Sequence, residues 1–179
     1  VAALLDAGIR EQSSRRRVIV IGESEIIASP DGRGHISVSP TRDGRFQLTY
    51  ELDYPQPVIG RQACSLDVTP TTFVRELSFA RTFVLEGEVA AMRSQGFGKR
   101  ATTDNLIVFS SDGPIDTELR APDECARHKA LDCIGDFSLV GCDLAGHVQC
   151  CGSGHALNHE LIRRLEQRLR GCPPLSATG

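Results

Sequence analysis

The chain has 179 residues, enough for one ordinary domain or two small ones, and its 40% hydrophobic share is sufficient to bury a sizeable core. A formal net charge of -3, no Trp and only two Tyr leave neither the basic field nor the stacking surface that nucleic-acid binding needs. No run approaches the roughly 18 consecutive apolar residues of a membrane span, and no basic, apolar, small-residue signal sequence opens the chain. The expectation is a cytoplasmic globular protein with neither nucleic acid nor a membrane span among its interactions.

Residues 1–9 read as the end of an amphipathic helix, with Val1, Leu4, Leu5 and Ile9 apolar at helical spacing and Gly8 near its end. Residues 11–17 are polar, charged and uncapped, which marks a linker into a new domain; three arginines fall short of a basic nucleic-acid run. From Val18 the period changes to that of strands. Short runs at 18–21, 25–28, 35–38 and 46–52 are rich in β-branched residues and separated by the turns Pro30-Asp31-Gly32 and Arg42-Asp43-Gly44, which predicts an antiparallel meander. A strand over 63–68 ends at Thr69-Pro70, and 71–79 reads as a short helix.

A strand at 80–85, a helix at 86–95 stopped by Gly96 and a strand at 105–109 form a βαβ unit. Gly96-Phe97-Gly98-Lys99-Arg100 lacks the spacing and the Ser or Thr of a phosphate loop. Asp112-Gly113-Pro114 turns the chain, and Pro122-Asp123-Glu124 starts a helix carrying His128, Asp132 and Asp136, which Gly135 and Gly141 weaken or end. Residues 147–151 read as a short edge or buried strand and Ser153-Gly154 as a turn. A closing helix over 155–170 is capped by Gly171 and stopped by Pro173-Pro174. Residues 172–179 are expected to be a disordered tail. Strands followed by helices that must cover one sheet face predict an α+β fold: a two-layer sandwich of a mostly antiparallel sheet packed on helices, with a βαβ insertion at about 82–109.

Seven cysteines, an odd number with no C-x-x-C pair, argue for small buried hydrophobes in a reducing compartment rather than a disulfide framework or zinc knuckle. The chemistry concentrates elsewhere. His128 and Asp132 stand one helical turn apart on one face, so that an imidazole nitrogen and a carboxylate oxygen can converge on one metal ion; the same spacing also serves an ordinary solvated pair. Asp136 continues the stripe and offers a partner for an imidazole. His155 follows a sharp turn at the start of the last helix, where it either meets such a carboxylate or, like His159, caps or packs. Thr82, next to Arg81, offers a hydroxyl to a developing oxyanion, or is simply a strand threonine.

Phe79-Ala80-Arg81-Thr82-Phe83, Asp123-Glu124 leading to Arg127-His128-Lys129, Leu131-Asp132 with Ile134-Gly135-Asp136, and Ser153-Gly154-His155-Ala156-Leu157-Asn158 together resemble the zinc-dependent UDP-3-O-acyl-N-acetylglucosamine deacetylases of lipid A synthesis. The resemblance extends over nearly the whole chain, including Asp53-Tyr54-Pro55 and Pro57-Val58-Ile59-Gly60. It implies one half of a two-domain enzyme: residues 1–10 as the last helix of a missing N-terminal domain, 11–17 as linker and 18–171 as the C-terminal domain. It further implies Zn2+ held by His128 and Asp132, with the third ligand and a general-base Glu in the missing half, so that this fragment alone is expected to be inactive. His155, paired with Asp136, is implied as the group that stabilises the oxyanion or protonates the leaving amine, and Thr82 as a donor to the carbonyl oxygen. Lys129 is implied at the diphosphate of a UDP-linked acylated amino sugar. Phe83, Val84, Val89, Met92, Leu106 and Val108 are implied at the substrate, the last five as lining of an acyl passage or simply as core. Two departures accompany the resemblance: Arg100-Ala101 replaces a common Gly-Gly in the insertion, and Gly152 replaces a common Lys. A non-catalytic module that binds a UDP-sugar or an acyl chain, and a remnant whose polar face docks a partner subunit, are the rival expectations.

Overall fold

The computed structural model describes residues 1–10, 12–14 and 16–171, so Glu11 and Arg15 of the expected linker and the expected tail at 172–179 lie outside the described residues. After α1 (Ala2–Ala7) come β1 (Val18–Val20), β2 (Glu25–Ala28), β3 (His35–Ser39), β4 (Phe46–Asp53) and β5 (Arg61–Asp67). The order of the main sheet is β2-β3-β8-β4-β5, where β8 is Asp143–Cys151. The expected meander is therefore broken. β3 and β4 do not pair; β8 lies between them, antiparallel to β3 and parallel to β4, while β1 runs parallel to its first residues, Asp143 to Ala145.

The segment read as a short strand at 147–151 is thus nine residues long and central in the sheet. Its burial pattern alternates over its second half, where Val148 and Cys150 face the core and the residues between them do not. Gly146 marks the point where β8 passes from β1 to β3 and β4. It holds φ +144, and a Cβ there would lie 2.7 Å from Cβ of Ile21. Only glycine combines that backbone with so close an approach.

The expected helix over 71–79 is a short α-turn, α2 (Pro70–Thr72), capped by the Thr69 hydroxyl, continuing as a π-turn over Phe73–Leu77. Beyond it, β6 (Thr82–Leu85), α3 (Glu86–Ser94) and β7 (Leu106–Phe109) form the βαβ unit, with β6 and β7 parallel in register from Thr82↔Leu106 to Leu85↔Phe109. Two longer helices close the second layer. α4 (Glu124–Ser138) packs on β4 and β5, α5 (His155–Gly171) packs on β2 and β3, and the two helices touch each other.

Sequence spacing explains the packing. Ala126, Ala130, Cys133 and Phe137 recur every three or four residues and form the buried stripe of α4, as do Leu157, Leu161 and Leu165 on α5. They meet the inward residues of the sheet, Ile36, Val38, Leu48, Tyr50, Val148 and Cys150, in one apolar core. Each Val, Leu, Ile or Phe among them contributes about 1.5–3 kcal/mol on burial. Among the described residues, no helix is long and apolar enough to cross a membrane.

Candidate active site

Four residues per step advance an α-helix by about 40° beyond a full turn, so the polar stripe His128, Asp132, Asp136 drifts round α4 until its last member faces α5. Asp136 is buried there. Its Oδ2 accepts from His155 Nδ1 at 2.8 Å and from Asn158 Nδ2 at 2.8 Å, while Oδ1 faces His159 Nε2 at 3.4 Å. Burial pushes the Asp136 carboxyl up, but the Asn158 hydrogen bond, then that of His155 and the nearby imidazoles, outweigh it and hold the group below its usual range. The carboxylate is an acceptor only, and His155, at the first residue of α5 with its side chain 63% exposed, presents its other ring nitrogen outward.

One turn earlier, His128 Nε2 stands 3.5 Å from Asp132 Oδ1. The other carboxylate oxygen is taken by Lys129, whose Nζ lies 3.1 Å from Oδ2 and 5.9 Å from the centre of the Phe83 ring. Burial pushes the His128 imidazole below its ordinary value, against the pull of Asp132, which favours the neutral ligand form. Its Nδ1 is buried without a well-formed hydrogen bond, although the Ala80 carbonyl is near enough to favour the protonated ring. Two donors bound about 2.1 Å from a tetrahedral ion stand about 3.4 Å apart, close to the separation found, so this pair fits zinc. Among the described residues, no third His, Cys, Asp or Glu completes a metal-binding group with them.

The remaining sequence-predicted residues cluster on the βαβ unit. Phe83 is the link to the helix: its ring meets His128 edge-on at 6.3 Å and also contacts Tyr54 and Phe109. Thr82 precedes it and is exposed. Strand alternation places Thr82 and Val84, with their register partners Leu106 and Val108, on the opposite face from Phe83. Val89 and Met92 lie one turn apart on α3, half-buried and exposed respectively. Phe83 thus belongs to the His128 side of the unit, whereas Val84, Leu106 and Val108 share the opposite face and Val89 and Met92 lie on α3.

Several residues quoted only as parts of motifs turn out to build the site. Asn158 and Ser153 join Asp136 in one buried network, with the Ser153 hydroxyl donating to Asn158 Oδ1 at 3.0 Å. The Tyr50 hydroxyl donates to the Ser153 carbonyl and ties the Ser-Gly turn to β4. A Cβ on Gly34 would fall 2.6 Å from the Gly152 carbonyl oxygen, so glycine there lets the β3 end close on the same turn. Arg81 pairs with Glu124, both fully buried, and its guanidinium also donates to the Thr103 and Glu118 carbonyls, which fixes the βαβ unit to the start of α4. The signal for Asn158 was its position three residues after His155, on the same helix face.

The sequence model of the family described as "LpxC: UDP-3-O-acyl N-acetylglycosamine deacetylase" matches residues 1–167. Among curated relatives, the UDP-3-O-acyl-N-acetylglucosamine deacetylase of Solibacter usitatus is 43% identical over 166 residues, which cover 92% of this chain and 55% of the relative. That of Nitratidesulfovibrio vulgaris is 41% identical over 170 residues, 93% of this chain and 53% of the relative, and that of Syntrophotalea carbinolica 35% identical over 166 residues, 92% and 52%. The chain spans about half the length of the curated relatives it matches. With the match running through both His–Asp pairs and the βαβ unit, the chain belongs to the UDP-3-O-acyl-N-acetylglucosamine deacetylase family.

Proposed function

We propose that this chain supplies half of the active site of a zinc-dependent amide hydrolase that removes the N-acetyl group of UDP-3-O-acyl-N-acetylglucosamine, a step of lipid A synthesis in the cytoplasm. The observation that carries the proposal is the 3.5 Å approach of His128 Nε2 to Asp132 Oδ1, one turn from the Asp136–His155 pair, in a chain of this family. His128 and Asp132 hold the zinc, and the third ligand and the general-base Glu come from the other half of the enzyme. Apolar residues in and just after α1 support such a partner half: Leu4 is 70% and Ile9 78% exposed.

Bound at this pair, zinc would polarise the acetyl carbonyl and lower the pKa of a water. Asp136 accepts from Nδ1 of the His155 imidazolium, whose opposite N–H then gives its proton to the leaving amine as the C–N bond of the water adduct breaks and acetate departs. Thr82 donates to the carbonyl oxygen as negative charge gathers there. Lys129, already anchored between Asp132 and the Phe83 ring, faces the substrate diphosphate. Val84, Val89, Met92, Leu106 and Val108 line the acyl passage, the apolar surface that the βαβ unit leaves uncovered by the core.

In the full-length protein, Asp132→Ala is expected to abolish tight zinc binding, whereas His155→Ala keeps the metal and slows turnover by about 100-fold or more. Metal content and deacetylation of UDP-3-O-acyl-N-acetylglucosamine are the measurements. Normal zinc and normal turnover in both variants would overturn the assignment.

A further inference from the structure

Asn158 sits where α4 and α5 meet, with only 1% of its surface exposed. Nothing in its motif gives it a role, yet every polar atom of its side chain is engaged. Nδ2 donates to Asp136 Oδ2 at 2.8 Å and lies 3.5 Å from Cys133 Sγ; Oδ1 accepts from the Ser153 hydroxyl at 3.0 Å and from the Cys133 thiol at 3.7 Å. Because an ionised carboxylate only accepts, the amide must turn its NH2 to Asp136, and Ser153 then satisfies the amide oxygen left inside. His155 has no comparable restraint. Its side chain is 63% exposed, and among the described residues its one side-chain hydrogen bond is to Asp136.

We propose that Asn158 is a positioning residue for His155: the buried amide, satisfied from behind by Ser153, fixes the rotation of the Asp136 carboxylate so that Oδ2 receives the imidazole Nδ1–H and the outward nitrogen is left free. A carboxylate held by His155 alone could turn about its Cβ–Cγ bond toward His159 and leave the His155 Nδ1 without an acceptor. The Asn158 bond removes that freedom, and with it the alternative tautomer of His155. The proposal rests on the catalytic reading above, in which the outward nitrogen handles the proton, but its geometric half does not.

The test pairs kinetics with 15N NMR of histidine-labelled full-length protein under conditions where the ring is neutral. Wild type is expected to show the Nδ1–H tautomer at His155. Asn158→Leu, similar in size but without donors, should shift His155 toward the Nε2–H form that free imidazole favours. It should also lower kcat by about 10- to 100-fold, with KM within about twofold and zinc content unchanged. Ser153→Ala, a milder change that leaves the amide in place, should move the tautomer and kcat in the same direction by less. A fall in kcat with an unaltered His155 spectrum in both variants would make the role merely structural and overturn the proposal, as would unchanged kcat. Should wild type neither bind zinc nor deacetylate, the catalytic reading fails, while the His155 spectra still decide whether Asn158 sets its tautomer.

Discussion

Cys64, Cys125, Cys133, Cys142 and Cys150 are buried free thiols, and Cys151 is partly exposed. The sequence reading of small hydrophobes accounts for them: Cys133 and Cys150 approach only to 3.8 Å between sulfurs, and Cys64 rests its thiol on the Ala126 carbonyl at 3.6 Å. Burial pushes Cys64 and Cys125 from 9.0 up to about 11, which lowers their thiolate fraction at neutral pH by about 100-fold. A thiol reagent followed by mass mapping is therefore expected to label Cys151 first among these six and to reach the other five only after urea unfolds the chain. Labelling of Cys64 or Cys125 as fast as Cys151 in native protein would mean the α4–sheet interface opens far more readily than its packing implies. At this scale the sequence made the His128–Asp132 pair legible, because both lie on one helix and the spacing alone aligns them. It could not make Asn158–Asp136 legible, since that bond joins two helices whose contact depends on the sheet beneath them.

The same limit applies to the Arg81–Glu124 pair, which joins the residue before β6 to the first residue of α4. Glu124 takes Arg81 Nε at 2.9 Å and Nη2 at 3.0 Å and also accepts the backbone N–H groups of Arg81 at 3.1 Å and Arg120 at 2.6 Å. Burial pushes this carboxyl up, but Arg81 and the two backbone donors outweigh it and hold it below its ordinary value. A depressed folded pKa contributes stability that is present above the unfolded value of about 4.3 and is lost as pH falls through the folded one. Asp136 adds to the same acid limb with the same sign. Glu124→Gln is expected to destabilise the protein by about 3–5 kcal/mol at pH 7, because it leaves the Arg81 charge buried without its counterion. Urea titrations at pH 7 and below pH 4 should also show a shallower acid loss in the variant than in wild type. An unchanged urea midpoint at pH 7 would show that the pair does not hold the βαβ unit to α4. The elements on either side were legible, since the sequence reading placed a strand at 80–85 and started a helix at Pro122-Asp123-Glu124; the buried pair between them was not, because Arg and Glu in sequence look the same whether solvated or enclosed.

Across the whole molecule, the sheet depends on a strand that arrives late. β8 pairs with β1 across the register Val18↔Asp143, with β3 across Ile36↔Cys150 and with β4 across Tyr50↔Cys150. Without it, the β2–β3 and β4–β5 hairpins share no hydrogen bonds, and an isolated hairpin is marginal in water. The expected meander failed for this reason: periodicity identifies a strand but carries no information about a neighbour 100 or more residues away. A sheet assembled through such distant pairings is also slow to form, because loop closure must precede the contacts that stabilise it. A chain ending at Gly141 is expected to show no cooperative urea transition by far-UV circular dichroism and to be cleaved rapidly by protease. Gly146→Val provides the finer test with α5 retained. Its branched side chain would meet Ile21, whose Cβ already lies 2.7 Å from where a Cβ at 146 would stand, at a φ of +144 that L-residues avoid. The variant should lose about 3 kcal/mol or more, read as a lower urea midpoint, and its refolding should slow if the β1–β8 crossing forms in the transition state. A Gly146→Val protein with the wild-type midpoint, or a 1–141 chain that unfolds cooperatively, would show that the sheet does not depend on the central placement of β8.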